Sequence, residues 1–475
     1  MNDWIKQNPA YVLLFLHFFP KSSFNPKLIK NGGAMSSRDH WGNKLGFILA
    51  AVGSAVGLGN IWKFPYVVGK NGGSAFILIY LACIILVGIP ILMAEIYIGK
   101  KSQLNPVGAL RFFQKGKIPF SLIGYAGVLC GIIILSYYSV ITGWICHYLM
   151  LSFRGFSGTE TEISEIFSHL NATPWLNIAW HTFVMVTVML ILVKGVRHGI
   201  EKASKILMPL LGLLLLVLVC YSMTLEGMKD AWHFLTYPDF SKVTGGSFLE
   251  ALGTSFFTLS LGMGAMITYG SYLKGDVNIT KSAVQIASID TLIAFLAGIV
   301  IFPIVIFPIV FTNNLEPSAG PGLIFKTLPV LFSKMPGGHF VALLFFSLVL
   351  FAAITSAISL LEVAVSFVTD EYKCSRIKAI IFMGTLIWLL GIFSAVSSWN
   401  VAGTPFLDLF DKIASCYMLP LGGLCTALVF GWAIKTESKY KEIGSSAVTK
   451  TLLFAAKYVS PLLLLVVFLK EIGLF

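Results

Sequence analysis

Three small sets of oxygen-bearing residues and one carboxylate sit in stretches where polar groups are scarce. Ser54, the carbonyl of Ala55 and Asn60 fall in one apolar stretch, and Thr258 with Ser260 in a second. The adjacent hydroxyls Thr355 and Ser356 fall in a third, FAAITSAISLLE. Hydroxyls, amide oxygens and main-chain carbonyls are hard, mostly neutral ligands, which suits alkali cations. Such hydroxyls also back-bond to their own helix, so an isolated Thr-Ser pair is compatible with no ligand at all. Asp290 is more demanding. It lies well past Lys281 inside an apolar run, where a carboxylate costs at least ~2.5–3.5 kcal/mol and marks a functional position by default. Glu95 and Glu362 are enclosed by apolar sequence too. Glu95, five residues before Lys100, fits an interfacial or structural pairing as well as a direct role, and Glu362 could face a cytoplasmic water path.

Other chemistries find little support. His147, His181, His198 and His233 are dispersed, with no nucleophile–base arrangement or metal motif beside them, so no enzyme is expected. Cys83, Cys130, Cys146, Cys220, Cys416 and Cys425 lie mostly in apolar runs without metal spacing, so neither a disulfide nor a metal cluster is expected.

Ligands of this kind need rigid elements to hold them. Apolar runs fall near 43–70, 75–99, 119–151, 174–193, 204–225, 248–273, 282–311, 339–370, 376–395, 402–433 and 449–473. At ~20 residues per crossing these are eleven transmembrane helices in an all-α polytopic membrane protein. The first, LGFILAAVGSAVGLGNIWKFPYVV, carries Gly53, Gly57 and Gly59 near its middle. Glycine weakens a helix by ~1 kcal/mol relative to alanine, and in hydrocarbon a freed carbonyl must find a partner. The sixth, FFTLSLGMGAMITYG, is interrupted at Ser260, Gly262 and Gly264. The two open successive runs of five helices, and paired interruptions at matching positions point to a transporter binding site. Close helix packing through Gly53-xxx-Gly57 is the competing reading. The expected architecture is a 5+5 inverted repeat with helices 1 and 6 broken and the eleventh peripheral. Its parts would be a tail at 1–37, repeats at 38–225 and 248–433 around an extracellular loop at 226–247, and a linker with the last helix at 434–475.

Of the 475 residues, 56% are hydrophobic and only 12% charged, which excludes an ordinary soluble domain. The net charge of +12 is concentrated in alternate loops, at Lys100, Lys101 and Arg111, at Lys194, Arg197 and Lys202, and at Lys373, Arg376 and Lys378. Residues 155–173 hold three glutamates and no Lys or Arg. That asymmetry places the N-terminus in the cytoplasm and, with eleven crossings, the C-terminus outside. It also accounts for the basic balance without nucleic acid. Tyr11 to Phe19 is too short to span, and no small-residue cleavage site marks a signal peptide. Met35 directly precedes SSRDHW, so 1–34 read as a mis-annotated start, with an interfacial tail as the alternative.

The stretches RDHWGNKLGFILAAVGSAVGLGNIWKFPY, NGGSAFILIY, GIPILMAEIYIGK, SFFTLSLGMGAMITYGSY and SAGPGLIF together resemble the neurotransmitter:sodium symporter family, from about Arg38 to Lys435. The span count looks like its bacterial branch for hydrophobic and aromatic amino acids, which includes the leucine transporter. That protein serves as a standard example of inverted repeats and broken helices. The resemblance implies two Na+ sites. The first would use the Ala55 carbonyl, Asn60, Thr258, Asp290 and the substrate carboxylate; the second the carbonyls of Gly53, Val56 and Ala352 with the hydroxyls of Thr355 and Ser356. The substrate carboxylate would meet amides near Leu58 and Gly59, at a half-helix N-terminus, and the hydroxyl of Tyr138. Its ammonium would take carbonyls near Ser54, Ala55, Phe257 and Thr258, plus Ser260. Ile134, Ile141, Phe257, Met263, Ser356 and Leu360 would line the side-chain pocket. Lys63 with Asp411 would form the outer gate and Arg38 with Asp370 the inner one, supported by Trp41 and Tyr272. Gly199 and Pro209 resemble the family element that unwinds to admit water, although a plain proline kink fits them too.

This chain departs from the family at several points. Lys63 replaces the usual arginine, offering a point charge in place of a bidentate fork. Of the neutral polar cluster used by chloride-dependent members only Tyr80 persists, with Thr254 and Ala294 at other positions, and Asp290 could supply the negative charge, so no chloride is expected. Met263 replaces a phenylalanine of the leucine transporter, which suits a larger or more varied guest. The resulting expectation is a sodium-coupled symporter of a hydrophobic or aromatic L-amino acid in the inner membrane, working in the lipid bilayer without an obligatory protein partner. A proton-coupled transporter and a non-transporting sensor or substrate-gated channel are the alternatives.

Overall fold

In the computed structural model the described residues are 38–114, 116, 118–304 and 322–474. The chain divides into two compact units, Met1–Asp39 and His40–Phe475. The readings of 1–34 lie outside the described residues, as does the first half of the SAGPGLIF loop.

Among its described residues the second unit is helical apart from one hairpin, β1 (Asn400–Val401) paired antiparallel with β2 (Thr404–Pro405). Its first span is α1 (Lys44–Ala55), a π-helical turn at Gly59–Lys63 and α2 (Phe64–Lys70), bent by 52° at the break. The second span joins α3 (Ser74–Cys83) to α4 (Ile89–Ser102), and α5 (Pro106–Phe112) follows with Asn105 capping it. The third and fourth are α6 (Ser121–Ser152) and α8 (Pro174–Val193), linked by α7 (Glu160–Ala172). The fifth is a π turn at Val196–Glu201 running into α9 (Lys202–Ser222).

After α10 (Met228–Thr236) comes the second interrupted span, α11 (Gly245–Thr258) and α12 (Ala265–Ser271). Then follow α13 (Ile279–Ile301), α14 (Leu328–Lys334), α15 (Gly338–Tyr372) and α16 (Arg376–Ala395). The tenth span runs from α17 (Phe406–Asp411) into α18 (Leu419–Leu428). Beyond it lie α19 (Thr436–Ile443) and an eleventh span built from α20 (Ala447–Phe454) and α21 (Ser460–Glu471).

Among the described residues nine helices are long and apolar enough to cross a membrane, or ten with the bent pair α1–α2. α11 and α12 are each too short alone; taken as one interrupted crossing they complete eleven. Five crossings separate the starts of the two interrupted spans, and an odd number reverses direction. The two five-span runs therefore insert with opposite polarity, which is the inverted repeat. The fold is that of an all-α, multi-pass membrane protein.

Burial sorts the spans. The third is the central column, 89% buried, against 33% for the fourth and fifth, whose outer faces meet lipid. α15 lies along α6 and also packs on α1, α9 and α16, while α12 packs on α4 and α1 packs on α9, α13 and α15. Both breaks are thereby held against long, intact helices. Among the described residues π-helical turns also fall at Gly59–Lys63, Ile84–Gly88, Val196–Glu201, Leu323–Thr327, Lys412–Met418, Val429–Ala433 and Ala455–Val459. Nothing in the apolar pattern marks them, because one extra residue per turn barely alters hydrophobic periodicity.

Candidate functional site

α1 stops at Ala55 because Val56 turns extended (φ −68°, ψ 111°), and the chain resumes its winding at the Gly59 turn. The freed carbonyls are gathered by α15. Ser356 Oγ lies 3.3 Å from Gly53 O, 3.3 Å from Ser54 O and 3.1 Å from Val56 O. Ser54 O has a donor in Ser260 as well, but one Ser356 proton cannot satisfy both Gly53 O and Val56 O, so the cluster is short of positive charge, and a hard cation would supply it. Thr355 Oγ1 back-bonds at 3.0 Å to both Phe351 O and Ala352 O. Its carbon skeleton nevertheless abuts the break: a Cβ on Gly53 would lie 3.1 Å from Thr355 Cβ. Gly53, Val56, Ala352, Thr355 and Ser356 are thus brought together.

The second polar cluster lies past the break. Asn60 Nδ2 donates to Asp290 Oδ1 at 2.8 Å and to Asp290 O at 3.2 Å, while its Oδ1 accepts the Gly57 amide. Tyr80 OH and Thr258 Oγ1 share a hydrogen bond of 2.9 Å. Asp290 is wholly buried and its Oδ2 has no hydrogen-bond partner. A buried carboxylate oxygen without a donor is costly, and an added cation among the Asn60 and Thr258 oxygens would offset that cost. Among the described residues no three His, Cys, Asp or Glu side chains converge as a metal-binding group. The donor set here is instead a single carboxylate with neutral oxygens.

Between these clusters the backbone packs against α6, α11 and α15. The Leu58 amide donates to Tyr138 OH at 3.4 Å. A Cβ on Gly57 would meet Ser356 Oγ at 2.8 Å and Tyr138 OH at 3.0 Å, and one on Gly59 would meet the Phe257 ring at 2.8 Å. On α6, Ile134, Tyr138 and Ile141 recur at helical spacing and share a face, all buried. Leu360 and Met263, also buried, flank Gly131 of the same helix. These contacts place the Leu58–Gly59 turn at one end and apolar side chains at the other.

The interrupted sixth span is built differently. Ser260, Gly262 and Gly264 take left-handed φ values of 53°, 84° and 79°. Ser260 Oγ donates to Ser54 O at 2.7 Å, tying one break directly to the other. The Gly262 amide donates to Glu95 Oε1 at 2.8 Å, and Glu95 is wholly buried. Glu95 is therefore a bracket for the broken backbone rather than an interfacial partner of Lys100. Its proximity to Gly262, 167 residues along the chain, has no local signal.

At the end of the bundle where the first span begins, Trp41 Nε1 donates to Tyr269 O at 2.9 Å, and the Trp41 amide donates to Tyr272 O at 3.3 Å. Tyr272 OH donates to Glu362 Oε1 at 2.6 Å, and Arg376 pairs with both Glu362 oxygens at 2.9 and 2.5 Å. Glu362 is wholly buried, so it belongs to this network of contacts and does not line an open water path in this conformation. Arg376, which the sequence counted only as loop charge, is thereby part of the same network. Asp370 accepts from the Asn105 amide at 2.9 Å. Arg38 belongs to the other unit, so its pairing with Asp370 stays an expectation. Gly199 sits in the π turn of the fifth span, where a Cβ would lie 2.2 Å from Ile191 O, and Pro209 lies inside α9.

The outer gate differs from expectation. Among the described residues no ion pair joins Lys63 to Asp411. Lys63 Nζ lies 4.8 Å from the Phe257 ring centroid, and Asp411 Oδ1 accepts from Tyr137 OH and Ser415 Oγ, both at 2.8 Å. The aromatic face already attracts the ammonium, and two hydroxyl donors already serve the carboxylate.

Three comparisons bear on this arrangement. The family model described as the sodium:neurotransmitter symporter family matches residues 38–159 and 160–475. The uncharacterized sodium-dependent transporter YhdH of Bacillus subtilis (strain 168) is 36% identical over 446 residues, covering 91% of this chain and 98% of that protein. An uncharacterized sodium-dependent transporter of Haemophilus influenzae is 35% identical over 456 residues, covering 92% and 98%. Among solved structures, MhsT in complex with L-phenylalanine is 44% identical with a TM-score of 0.84, covering 91% of this chain and all of that one.

Proposed function

The chain belongs to the sodium:neurotransmitter symporter family, and on that premise we propose that it couples sodium entry to uptake of a hydrophobic or aromatic L-amino acid. The observation that carries the reading is the meeting of two interrupted helices through Ser260 and Ser54, beside a buried carboxylate with a free oxygen. The likeness to MhsT bound to L-phenylalanine supports the substrate class.

Two sodium ions are the driving cargo. One is held by the Ala55 carbonyl, Asn60, Thr258 and Asp290, with the substrate carboxylate completing the set. That shared ligand makes sodium and substrate raise each other's affinity. The other is held by the Gly53, Val56 and Ala352 carbonyls with Thr355 and Ser356, and it fastens the first helix to the eighth. The substrate carboxylate rests on the Leu58–Gly59 amides and Tyr138, its ammonium on carbonyls near Ser54, Ala55, Phe257 and Thr258 with Ser260, and its side chain against Ile134, Ile141, Phe257, Met263, Ser356 and Leu360. Two charges moving inward gain ~4.6 kcal/mol per 100 mV, enough for about a thousandfold accumulation at ~1.4 kcal/mol per decade. Asp290 supplies the negative charge near the first sodium, so transport requires no chloride. The basic loops favour a cytoplasmic N-terminus and an outer C-terminus.

The test is uptake of radiolabelled L-phenylalanine into proteoliposomes. An inward sodium gradient in chloride-free buffer is expected to drive accumulation, and Asn60→Ala to abolish its sodium dependence. Accumulation driven by a pH gradient without sodium would replace this reading with proton coupling through Asp290. Binding without accumulation would replace it with a sensor.

A further inference from the structure

A carboxylate that none of these roles uses is held at the inner end of the first helix. Glu201 closes the π turn of the fifth span and is 2% exposed. Its oxygens serve two elements: Oε2 accepts the Gly42 amide at 2.6 Å, and Oε1 accepts Lys205 Nζ at 2.6 Å, one turn along its own helix. Gly42 immediately precedes Asn43, the N-cap of α1. The carboxylate therefore lies at the positive end of that helix, where an anion is favoured. Gly46 makes room for it. A Cβ there would lie 2.3 Å from Glu201 Oε1 and 2.5 Å from its Cγ, and one on Gly42 would reach the same oxygen at 3.0 Å.

The contact joins two elements that alternating access has to rearrange. The inner end of the first span carries Trp41, which closes on Tyr269 and Tyr272. The fifth span carries Gly199, two residues before Glu201 in the same π turn. A π turn is a local defect in the helical ladder and a frequent hinge. Removing one side of a buried, charge-assisted contact strands the groups left behind. We propose that Glu201 is a positioning residue that latches the start of the first helix to the π turn of the fifth, so that the inner gate opens and the fifth helix unwinds as one step. The proposal rests on the alternating-access reading above and adds its mechanical coupling.

The test is hydrogen exchange of the full-length protein in lipid nanodiscs, with sodium or potassium, read over peptides covering 40–50 and 191–206. Glu201→Ala and Gly46→Ala are each expected to raise exchange at least tenfold in both segments together, and to weaken the protection that sodium confers. Gly46→Ala leaves every charge in place and evicts the carboxylate only by its methyl group. Should Glu201→Ala fail to fold, Gly46→Ala therefore decides alone. Glu201→Gln keeps an acceptor for Gly42 but loses the Lys205 charge pair, and is expected to fall between. In uptake, both disruptive variants are expected to raise the half-saturating sodium concentration severalfold with a smaller loss of maximal rate. Faster exchange in only one of the two segments, or Gly46→Ala behaving as wild type, would overturn the latch. Exchange is read without transport, so normal exchange coupling with no sodium-driven uptake would instead count against the functional reading.

Discussion

The two interrupted spans carry similar glycine-rich sequence but use it for opposite purposes. At the first break the backbone is ordinary: Val56 has φ −68° and Leu58 φ −60°. Its glycines exist for what approaches them, Ser356 and Tyr138 at Gly57 and the Phe257 ring at Gly59. At the second break the same kind of sequence serves the path of the chain itself, with the alternate positions Ser260, Gly262 and Gly264 in the left-handed region. Ser260 accepts that conformation, at ~1–2 kcal/mol for a residue with a Cβ, and its hydroxyl then lands on the Ser54 carbonyl. The first break is a surface shaped to meet ligands. The second is a bracket, pinned by Glu95 and by the Leu419 carbonyl packed against Gly262.

The sharpest way to break this comparison is a matched pair of alanines. Gly262→Ala puts a Cβ 2.4 Å from Leu419 O at a φ of 84°, so both strain and a backbone clash act, and a loss of more than ~4 kcal/mol is expected. Expression and thermal unfolding in detergent should both collapse. Gly57→Ala meets mainly the Ser356 hydroxyl, which can rotate away. Its stability should change by about 1 kcal/mol or less, while sodium-dependent binding falls at least tenfold. Equal destabilisation by the two would show that both breaks are structural.

A smaller effect separates bracket from ligand surface at the side chains. Glu95→Ala strands the Gly262 amide and should cost about 1–3 kcal/mol of stability; Glu95→Gln keeps an acceptor and should recover much of it. Ser356→Ala should do the reverse. It removes a hydroxyl from three carbonyls, shifting stability by only about 1 kcal/mol but raising the sodium concentration needed for half-maximal binding. A sodium titration monitored by tryptophan fluorescence distinguishes the two patterns.

The parts of the site visible in sequence were those whose anomaly is local. Glycine runs and paired hydroxyls inside apolar helices announce themselves, and so does Asp290, because each violates what hydrocarbon demands of its own segment. The spans were legible for the same reason. What stayed hidden depends on distant partners. For Glu95 the sequence leaves an interfacial pairing, a structural pairing and a direct role open until the fold sets it on Gly262, and Glu362 reads as facing a water path until the fold sets it on Arg376 and Tyr272. Glu201 lies among basic loop residues and looks like one more solvated charge, yet it is 2% exposed. The outer pair was expected from the family resemblance, and in this structure Lys63 lies against an aromatic ring instead of Asp411.

That ring supplies the finest test, because Phe257 ends the first half of one broken span and Lys63 follows the break in the other. The Lys63 ammonium at 4.8 Å from the Phe257 centroid is a second contact between the two interrupted spans, beside the one Ser260 makes to Ser54. A cation–π contact at a partly exposed site contributes ~0.5–1 kcal/mol, which is roughly two- to fivefold in affinity at ~1.4 kcal/mol per decade. Lys63→Gln should weaken substrate binding by that factor, and Lys63→Arg hardly at all, since a guanidinium stacks on the same face. In a Phe257→Leu background the Lys63→Gln change should have no further effect. A parallel cycle with Asp411→Asn should show no coupling to Lys63, because Tyr137 and Ser415 already serve that carboxylate. Coupling to Asp411 in place of Phe257 would restore a charged outer pair, and with it a first span that closes against the tenth rather than the sixth.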